Sequence, residues 1–337
     1  MQKLESKWVY SMKTDLLLFI IPNLLAALTA YLTQFGLGEF ISIYIVVDQS
    51  HVYTTFFFTY NSKRFSKRYK KQLTIIPIVS LIVSSGLVLI WGFKPLIYLL
   101  TTYSMFHFAK QQMSWFYIAA AKENSHIFKF EKYIDKFTIN LSVLGPGLIS
   151  LTYIAGRNGW RGIGDMPTLP EETILIVFTL WCLSFGSYIL VQVLKYMKLG
   201  FISWGKNFHL LNGLMIWCLF RFLPLEKLFY LGGYLVIFGH SIPYIYLGQR
   251  YVKNRIKMKE EFYILFPSKI FIYAVLLSVG ILFSYFEVSG YKILSSDKTH
   301  YSIFRILLFS TVFTHYTIDG FMWKRKIHPE GLSFLNE

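Results

Sequence analysis

Long apolar runs separated by short polar or basic joints dominate this sequence. A membrane-spanning helix needs about 20 mostly apolar residues, and ten runs come close to that length. They lie at 16–33, 37–60, 73–92, 96–120, 137–155, 173–194, 207–223, 228–247, 268–286 and 302–321. No joint between them is long enough to hold a soluble domain. The pattern therefore predicts an all-α protein, a polytopic transmembrane helical bundle that forms a single integral-membrane domain over residues 1–337.

The composition agrees with a membrane environment and excludes a water-soluble enzyme. Charged residues make up 15% of the chain and apolar residues 54%, and the mean hydropathy is +0.45. Soluble proteins average about 25% charged residues. The deficit of charge indicates that much of the surface faces lipid.

The basic residues are unevenly distributed along the chain. Lys and Arg number 34 against 18 Asp and Glu, for a formal charge of +16. If the N-terminus is cytoplasmic, 25 of the 34 fall on the cytoplasmic side, as the positive-inside rule requires. They lie before the first span, in 61–72, 121–136, 195–206 and 248–267 with Lys269, and after the last span. We therefore predict a plasma (inner) membrane protein with both termini cytoplasmic and interpret most of the excess charge as contact with anionic lipid, with no nucleic acid partner.

Ionisable side chains inside the apolar runs are costly and are therefore candidates for a functional site. Four of the predicted spans carry them, and all four run from the outside to the inside. They are Asp48 and His51, His107 and Lys110, His240, and His315 and Asp319.

The four histidines lie at similar predicted depths. They precede the next cytoplasmic basic residue by 12, 15, 10 and 9 residues, which corresponds to roughly 14–22 Å at the rise of an α-helix. Neutral imidazole is a common metal ligand, and a carboxylate can complete the ligand set or orient an imidazole from behind. We predict that His51, His107, His240 and His315, with Asp48 or Asp319, bind non-haem Fe(II) or another transition metal. The alternative is that each histidine only packs between helices.

Three short segments resemble the Brp/Blh family of membrane β-carotene 15,15'-dioxygenases. They are Asp48-Gln49-Ser50-His51, Phe106-His107-Phe108 and Gly239-His240-Ser241. The resemblance implies a polytopic fold and iron held by histidines on separate helices. This chain departs from the family where a second histidine would follow His240, because Tyr244 occupies that position, and His315 lies outside the resemblance. The HxxxH and HxxHH boxes of membrane desaturases are absent from the sequence.

These observations predict an integral-membrane non-haem iron oxygenase or related oxidoreductase. Its substrates would be dioxygen and a lipophilic molecule, carotenoid-like or lipid-like, that enters from the bilayer. Lys110, Gln111 and Tyr244 are candidates to stabilise charge that develops on oxygen. A proton-coupled transporter, a b-type cytochrome and a membrane acyltransferase that uses one histidine as a base remain alternatives.

Overall fold

The structure, a computed structural model, describes six long stretches of the chain. They are residues 6–34, 40–123, 128–158, 170–222, 225–263 and 298–323, together with 274, 277–279, 281, 282 and 285.

The described residues form an all-helical fold without β-strands. The helices are α1 (Met12–Gln34), α2 (Phe40–Asn61), α3 (Lys63–Arg68), α4 (Lys70–Trp91), α5 (Phe93–Glu123), α6 (Glu131–Asn158), α7 (Glu171–Leu199), α8 (Trp204–Phe222), α9 (Leu225–Lys257) and α10 (Lys298–Met322). Each predicted span overlaps one of the longer helices, except 268–286, which lies mostly outside the described residues. The short helix α3 occupies a joint that the sequence pattern left without structure, and it begins where Ser62 Oγ accepts a hydrogen bond from Phe65 N at 3.0 Å.

Among the described residues, three helices are long and apolar enough to cross a membrane. The qualifying segments are Met12–Thr29 in α1, Lys70–Trp91 in α4 and Glu172–Leu199 in α7. Only 17% of the most apolar window is buried in α4 and in α7, so most of their apolar side chains lie on the surface. Such surfaces are compatible with a membrane protein. The full count of ten spans and the side of the termini stay predictions.

Contacts between Cα atoms divide the chain into two compact units. Unit 1 comprises 1–31 and 105–240, and unit 2 comprises 32–104 and 241–337. Helices α5 and α9 contribute to both units, because the divisions fall between Ser104 and Met105 and between His240 and Ser241.

In unit 2, α10 packs against α4 and α2. An apolar cluster of Phe65, Leu73, Ile318 and Met322 joins α3, α4 and α10. Helix α9 approaches α2 closely at Gly248, where any β-carbon would collide with the ring of Phe58. A small residue at a close helix contact is a common device in membrane proteins.

In unit 1, α6 packs against α7 and α8, and a buried ion network ties these helices to the end of α5. Lys195 Nζ lies 2.8 Å from Glu123 and 3.3 Å from Glu131, and Lys206 Nζ lies 2.9 Å from Asp135 and 3.4 Å from Glu131. All five side chains are nearly or fully buried. Lys195 and Lys206 were counted among the cytoplasmic basic residues, but the structure pairs them with carboxylates inside the protein. Contact with lipid therefore does not account for these two charges.

Two helix-interior prolines leave carbonyl groups that side chains from a neighbouring helix satisfy. Proline has no N–H, so the carbonyl four residues earlier loses its partner within the helix. Pro77 in α4 affects the Leu73 carbonyl, which accepts a hydrogen bond from Tyr60 Oη at 2.6 Å. Pro243 in α9 affects the Gly239 carbonyl, which accepts one from Gln112 Nε2 at 3.2 Å.

Candidate metal centre

Unit 2 brings two of the predicted histidines into direct contact. His51 on α2 and His315 on α10 are fully buried, and their Nε2 atoms lie 2.8 Å apart. The two rings are nearly perpendicular, with centroids 4.5 Å apart and an interplanar angle of 86°. Each ring therefore presents the same nitrogen to the other.

The hydrogen bonds of His51 determine which of its nitrogens carries the proton. Its Nδ1 lies 3.0 Å from the carbonyl oxygen of Asp48 and 3.4 Å from the carboxylate of the same residue. Both groups only accept hydrogen bonds. Nδ1 is therefore the N–H, and the neutral ring has its lone pair on Nε2.

Thr55 imposes the same tautomer on His315. Its hydroxyl donates to Asp319 Oδ1 at 2.7 Å and lies 2.9 Å from His315 Nδ1. A hydroxyl has one hydrogen, so with Asp319 ionised the threonine oxygen accepts from His315 Nδ1. The lone pair of the neutral His315 ring is then also on Nε2.

Two imidazole lone pairs consequently face one another at 2.8 Å. This arrangement is repulsive unless a proton or a metal ion binds between the nitrogens. Metal–imidazole bonds are about 2.0–2.1 Å long, so two nitrogens at this separation suit neighbouring positions around a single ion. Asp48 and Thr55, which contact the Nδ1 atoms of the two rings, offer the kinds of polar group that orient metal-binding histidines.

Tyr244 and Trp323 complete the surroundings of Asp319. Tyr244 Oη lies 2.6 Å from Asp319 Oδ1 and 2.5 Å from Thr55 Oγ1, and it accepts a hydrogen bond from Trp323 Nε1 at 3.1 Å. The second oxygen of Asp319, Oδ2, lies 3.9 Å from His315 Nε2. Asp319 therefore supports the His315 ring through Thr55 and also has an oxygen near the ligating side of that ring.

Unit 1 holds the other two predicted histidines. His107 on α5 and His240 on α9 have ring centroids 4.9 Å apart at an angle of 72°, and the nitrogens that they can offer to a metal lie within 4.8 Å of each other. His240 is fully buried and also packs against Phe108, with ring centroids 4.4 Å apart.

Two glutamines connect α5 to α9 at the level of this pair. Gln112 donates to the Gly239 carbonyl that Pro243 leaves without its helical partner, and Gln111 Nε2 donates to the His240 carbonyl at 3.1 Å. These bonds fix the α9 backbone on both sides of the His240 α-carbon. Gln111, predicted to stabilise charge on oxygen, thus contacts the backbone of a candidate ligand.

Each unit therefore holds a pair of buried or half-buried histidines whose ring nitrogens could serve as metal ligands. Asp48 lies on the Nδ1 side of His51, and Tyr244 contacts Asp319. Lys110, the other predicted catalytic residue, has an exposed side chain. The identity of the metal stays a prediction.

Three residues of the site were not singled out from the sequence: Thr55, Gln112 and Trp323. Thr55 lies four residues after His51, so helical spacing could have placed both side chains on one face of α2. Pro243 predicts that the Gly239 carbonyl lacks a hydrogen-bond donor within its own helix, but only the packing of α5 identifies Gln112 as the donor. Nothing local to Trp323 predicts its contact with Tyr244.

Comparison with known protein families, curated proteins and solved structures finds no match for this chain. The likeness to the Brp/Blh family therefore stays an expectation from three short segments.

Proposed function

We propose that this protein is an integral-membrane, histidine-ligated metal oxidoreductase that acts on a lipophilic substrate with dioxygen. The observation that carries the proposal is the 2.8 Å distance between the Nε2 atoms of His51 and His315, together with a polar partner at Nδ1 of each ring. Fe(II) is the expected ion, because histidine-rich sites with open positions suit non-haem iron, and another transition metal is the alternative.

The proposed ligands are the histidine pair of each unit, His51 with His315 in unit 2 and His107 with His240 in unit 1. In each pair the ring nitrogens lie close enough to be ligands of one ion. When bound, the ion would supply the redox chemistry. The protein groups would orient the imidazoles through Asp48 and Thr55 and keep water away by burial.

The lipophilic substrate is proposed from the surroundings of the fold. The exposed apolar faces of α4 and α7 favour a bilayer setting, in which long apolar molecules concentrate. Unit 1 also has an apolar cavity of about 1030 Å³ whose lining includes Trp8, Phe185 and Phe208, a volume at the upper end for small-molecule pockets.

Metal analysis of the purified chain tests the proposal. We expect about one equivalent of a transition metal per chain, because a buried set of imidazoles binds such ions tightly. His315→Ala should lower the metal content by removing a ligand of the unit 2 pair, and His107→Ala should lower it by removing a ligand of the unit 1 pair. His209→Gln is the matched control, because His209 is also buried but pairs with Asp15 at 3.1 Å.

Two results would contradict this assignment. Protein prepared without chelators that contains no transition metal would remove the metal centre. Metal loss in His315→Ala with full retention in His107→Ala would exclude the unit 1 pair and confine the metal to the two histidines of unit 2.

A proton-coupled transporter is the second candidate, and one observation favours it. Asp48, His51, His315, Thr55 and Asp319 form a continuous series of polar contacts in unit 2, which becomes hydrogen-bonded throughout when a proton lies between His51 and His315. Such a series can relay protons. Proton-coupled flux in proteoliposomes that persists after chelation would favour this function over the oxidoreductase.

A b-type cytochrome suits the unit 2 pair less well. Two axial ligands on opposite sides of a haem iron hold their nitrogens roughly 4 Å apart, given metal–imidazole bonds of about 2.0 Å. The Nε2 atoms of His51 and His315 are closer, at 2.8 Å.

A further inference from the structure

Unit 2 contains a second cavity whose lining is basic. It has a volume of about 810 Å³ and lies between the segment that joins α2 to α4 and the end of α9. Five basic side chains line it against two acidic ones. The basic residues are Lys63, Arg64, Lys67, Lys70 and Lys259.

The two acidic side chains of this cavity already have basic partners. Glu260 accepts a hydrogen bond from Arg255 at 3.1 Å and another from Ser62, and Glu261 pairs with Lys63 at 3.1 Å. Arg255 is nearly buried and is not among the cavity-lining residues. Because the two glutamates pair with Arg255 and Lys63, the cavity keeps a surplus of positive charge. That charge lies at Lys67, Lys70 and Lys259, all of which are exposed.

The backbone conformation of Lys259 distinguishes this cavity from an ordinary basic surface. Helix α9 ends in a Schellman motif, with Lys259 N bonded to Ile256 O at 2.9 Å and Glu260 N bonded to Arg255 O at 3.0 Å. Lys259 has φ of +55°, the one positive value among the described residues other than glycine. This position normally belongs to glycine, because a β-carbon is strained there.

The same chain uses glycine at a comparable helix end. Gly200 follows α7 in the left-handed conformation, with φ of +61°. At the end of α9 the strained lysine instead places its side chain on the cavity wall. Strained backbone conformations of single residues cluster at functional sites.

We propose that this cavity binds a phosphate-bearing anion. A phosphate group suits several lysines that converge on one cavity, and the volume exceeds that of a single phosphate, leaving room for an attached headgroup or organic moiety. An anionic phospholipid headgroup and a soluble organic phosphate share this chemistry. The proposal is independent of the metal centre.

Binding measurements on the full-length protein in phosphatidylcholine nanodiscs test this proposal. The two probes are phosphatidylglycerol, detected as retained lipid by native mass spectrometry, and pyrophosphate, detected by calorimetry. We expect Lys259→Gly to weaken binding about fivefold, the equivalent of about 1 kcal/mol for one basic residue near an anionic headgroup. The melting temperature should stay equal or rise, because glycine relieves the strained backbone.

The double variant Lys67→Gln/Lys70→Gln should weaken binding further. Lys253→Gln is the matched control, because Lys253 is an exposed lysine of α9 outside the cavity. Binding of the lipid alone would assign the site to a headgroup, and binding of pyrophosphate alone would assign it to a soluble phosphate. Affinities in Lys259→Gly and the double variant that equal that of Lys253→Gln, or no binding of either probe, would overturn the proposal.

Discussion

Thr55 has one hydroxyl hydrogen, and the direction of that hydrogen decides which nitrogen of the neutral His315 ring carries the proton. When the hydroxyl donates to Asp319, the Nδ1 of His315 must donate to Thr55, and the lone pair of the ring then faces His51. A single neutral side chain therefore determines whether two buried imidazoles can both serve as ligands.

Replacing Thr55 with valine tests this relation at nearly constant volume. We expect Thr55→Val to lower metal affinity about 10- to 100-fold, the usual effect of removing a group that orients a ligand. Competition against a chelator of known affinity measures the change. Thr54→Val is the matched control, because Thr54 is equally buried but its hydroxyl bonds to the Ser50 carbonyl of its own helix at 2.6 Å. Equal losses in the two variants would mean that packing, not the tautomer of His315, is responsible.

The histidines themselves were recognisable in the sequence, and their tautomers were not. An imidazole within an apolar run stands out because burying it is costly. The proton positions depend on Asp48 and Thr55, and the contact that orients His315 joins residues 260 positions apart. No local pattern carries that information.

Two helix-interior prolines explain one contact each between neighbouring helices. Pro77 and Pro243 each remove one backbone donor, and a polar side chain on the neighbouring helix replaces it: Tyr60 for the Leu73 carbonyl and Gln112 for the Gly239 carbonyl. In a membrane no water is available to do so. The positions of the prolines in the sequence thus mark where a donor is required, but the packing selects the donor.

A double-mutant cycle on α2 and α4 tests this account. Tyr60→Phe should lower the free energy of unfolding by about 1 kcal/mol, because the Leu73 carbonyl loses its hydrogen bond. In a Pro77→Ala background the restored N–H satisfies that carbonyl, so the same substitution should cost much less. Thermal or denaturant unfolding in detergent measures both values. Equal costs in the two backgrounds would show that Tyr60 stabilises the protein in another way.

Whole-molecule topology can be checked within each unit, because segments predicted on the same side of the membrane should meet. In unit 2 the segments after α2 and after α9 pair directly, with Lys63 N bonded to Glu261 O at 3.0 Å and Tyr263 N to Asn61 O at 2.9 Å. In unit 1 the ion network joins the ends of α5 and α7 to the starts of α6 and α8. Both groups of segments were predicted to be cytoplasmic. The contacts show that the members of each group meet, and the side of the membrane stays a prediction.

Cysteine labelling in intact cells and inverted vesicles tests which side these segments occupy. Ser66→Cys and Met258→Cys should react with a membrane-impermeant maleimide only from the cytoplasmic side, because both residues line the same cavity of unit 2. The parent protein is the control, because it measures any labelling of its own two cysteines, Cys182 and Cys218. Labelling of the two variants from opposite sides would contradict the predicted topology.

The sequence by itself determined the helical class and the identity of the four histidines. Both follow from local composition, since an apolar run of about 20 residues must satisfy its backbone within one helix, and an ionisable residue within it is costly wherever its neighbours lie. Charge counts indicated which joints share a side of the membrane.

Only the tertiary structure decided which groups meet. It paired His51 with His315 and His107 with His240, placed Thr55 behind one ring, and enclosed Lys195 and Lys206 among carboxylates. These contacts are between residues far apart in the chain, and each depends on how whole helices pack. A hydrogen bond requires its two atoms to lie within about 3 Å, a condition that no one-dimensional pattern expresses.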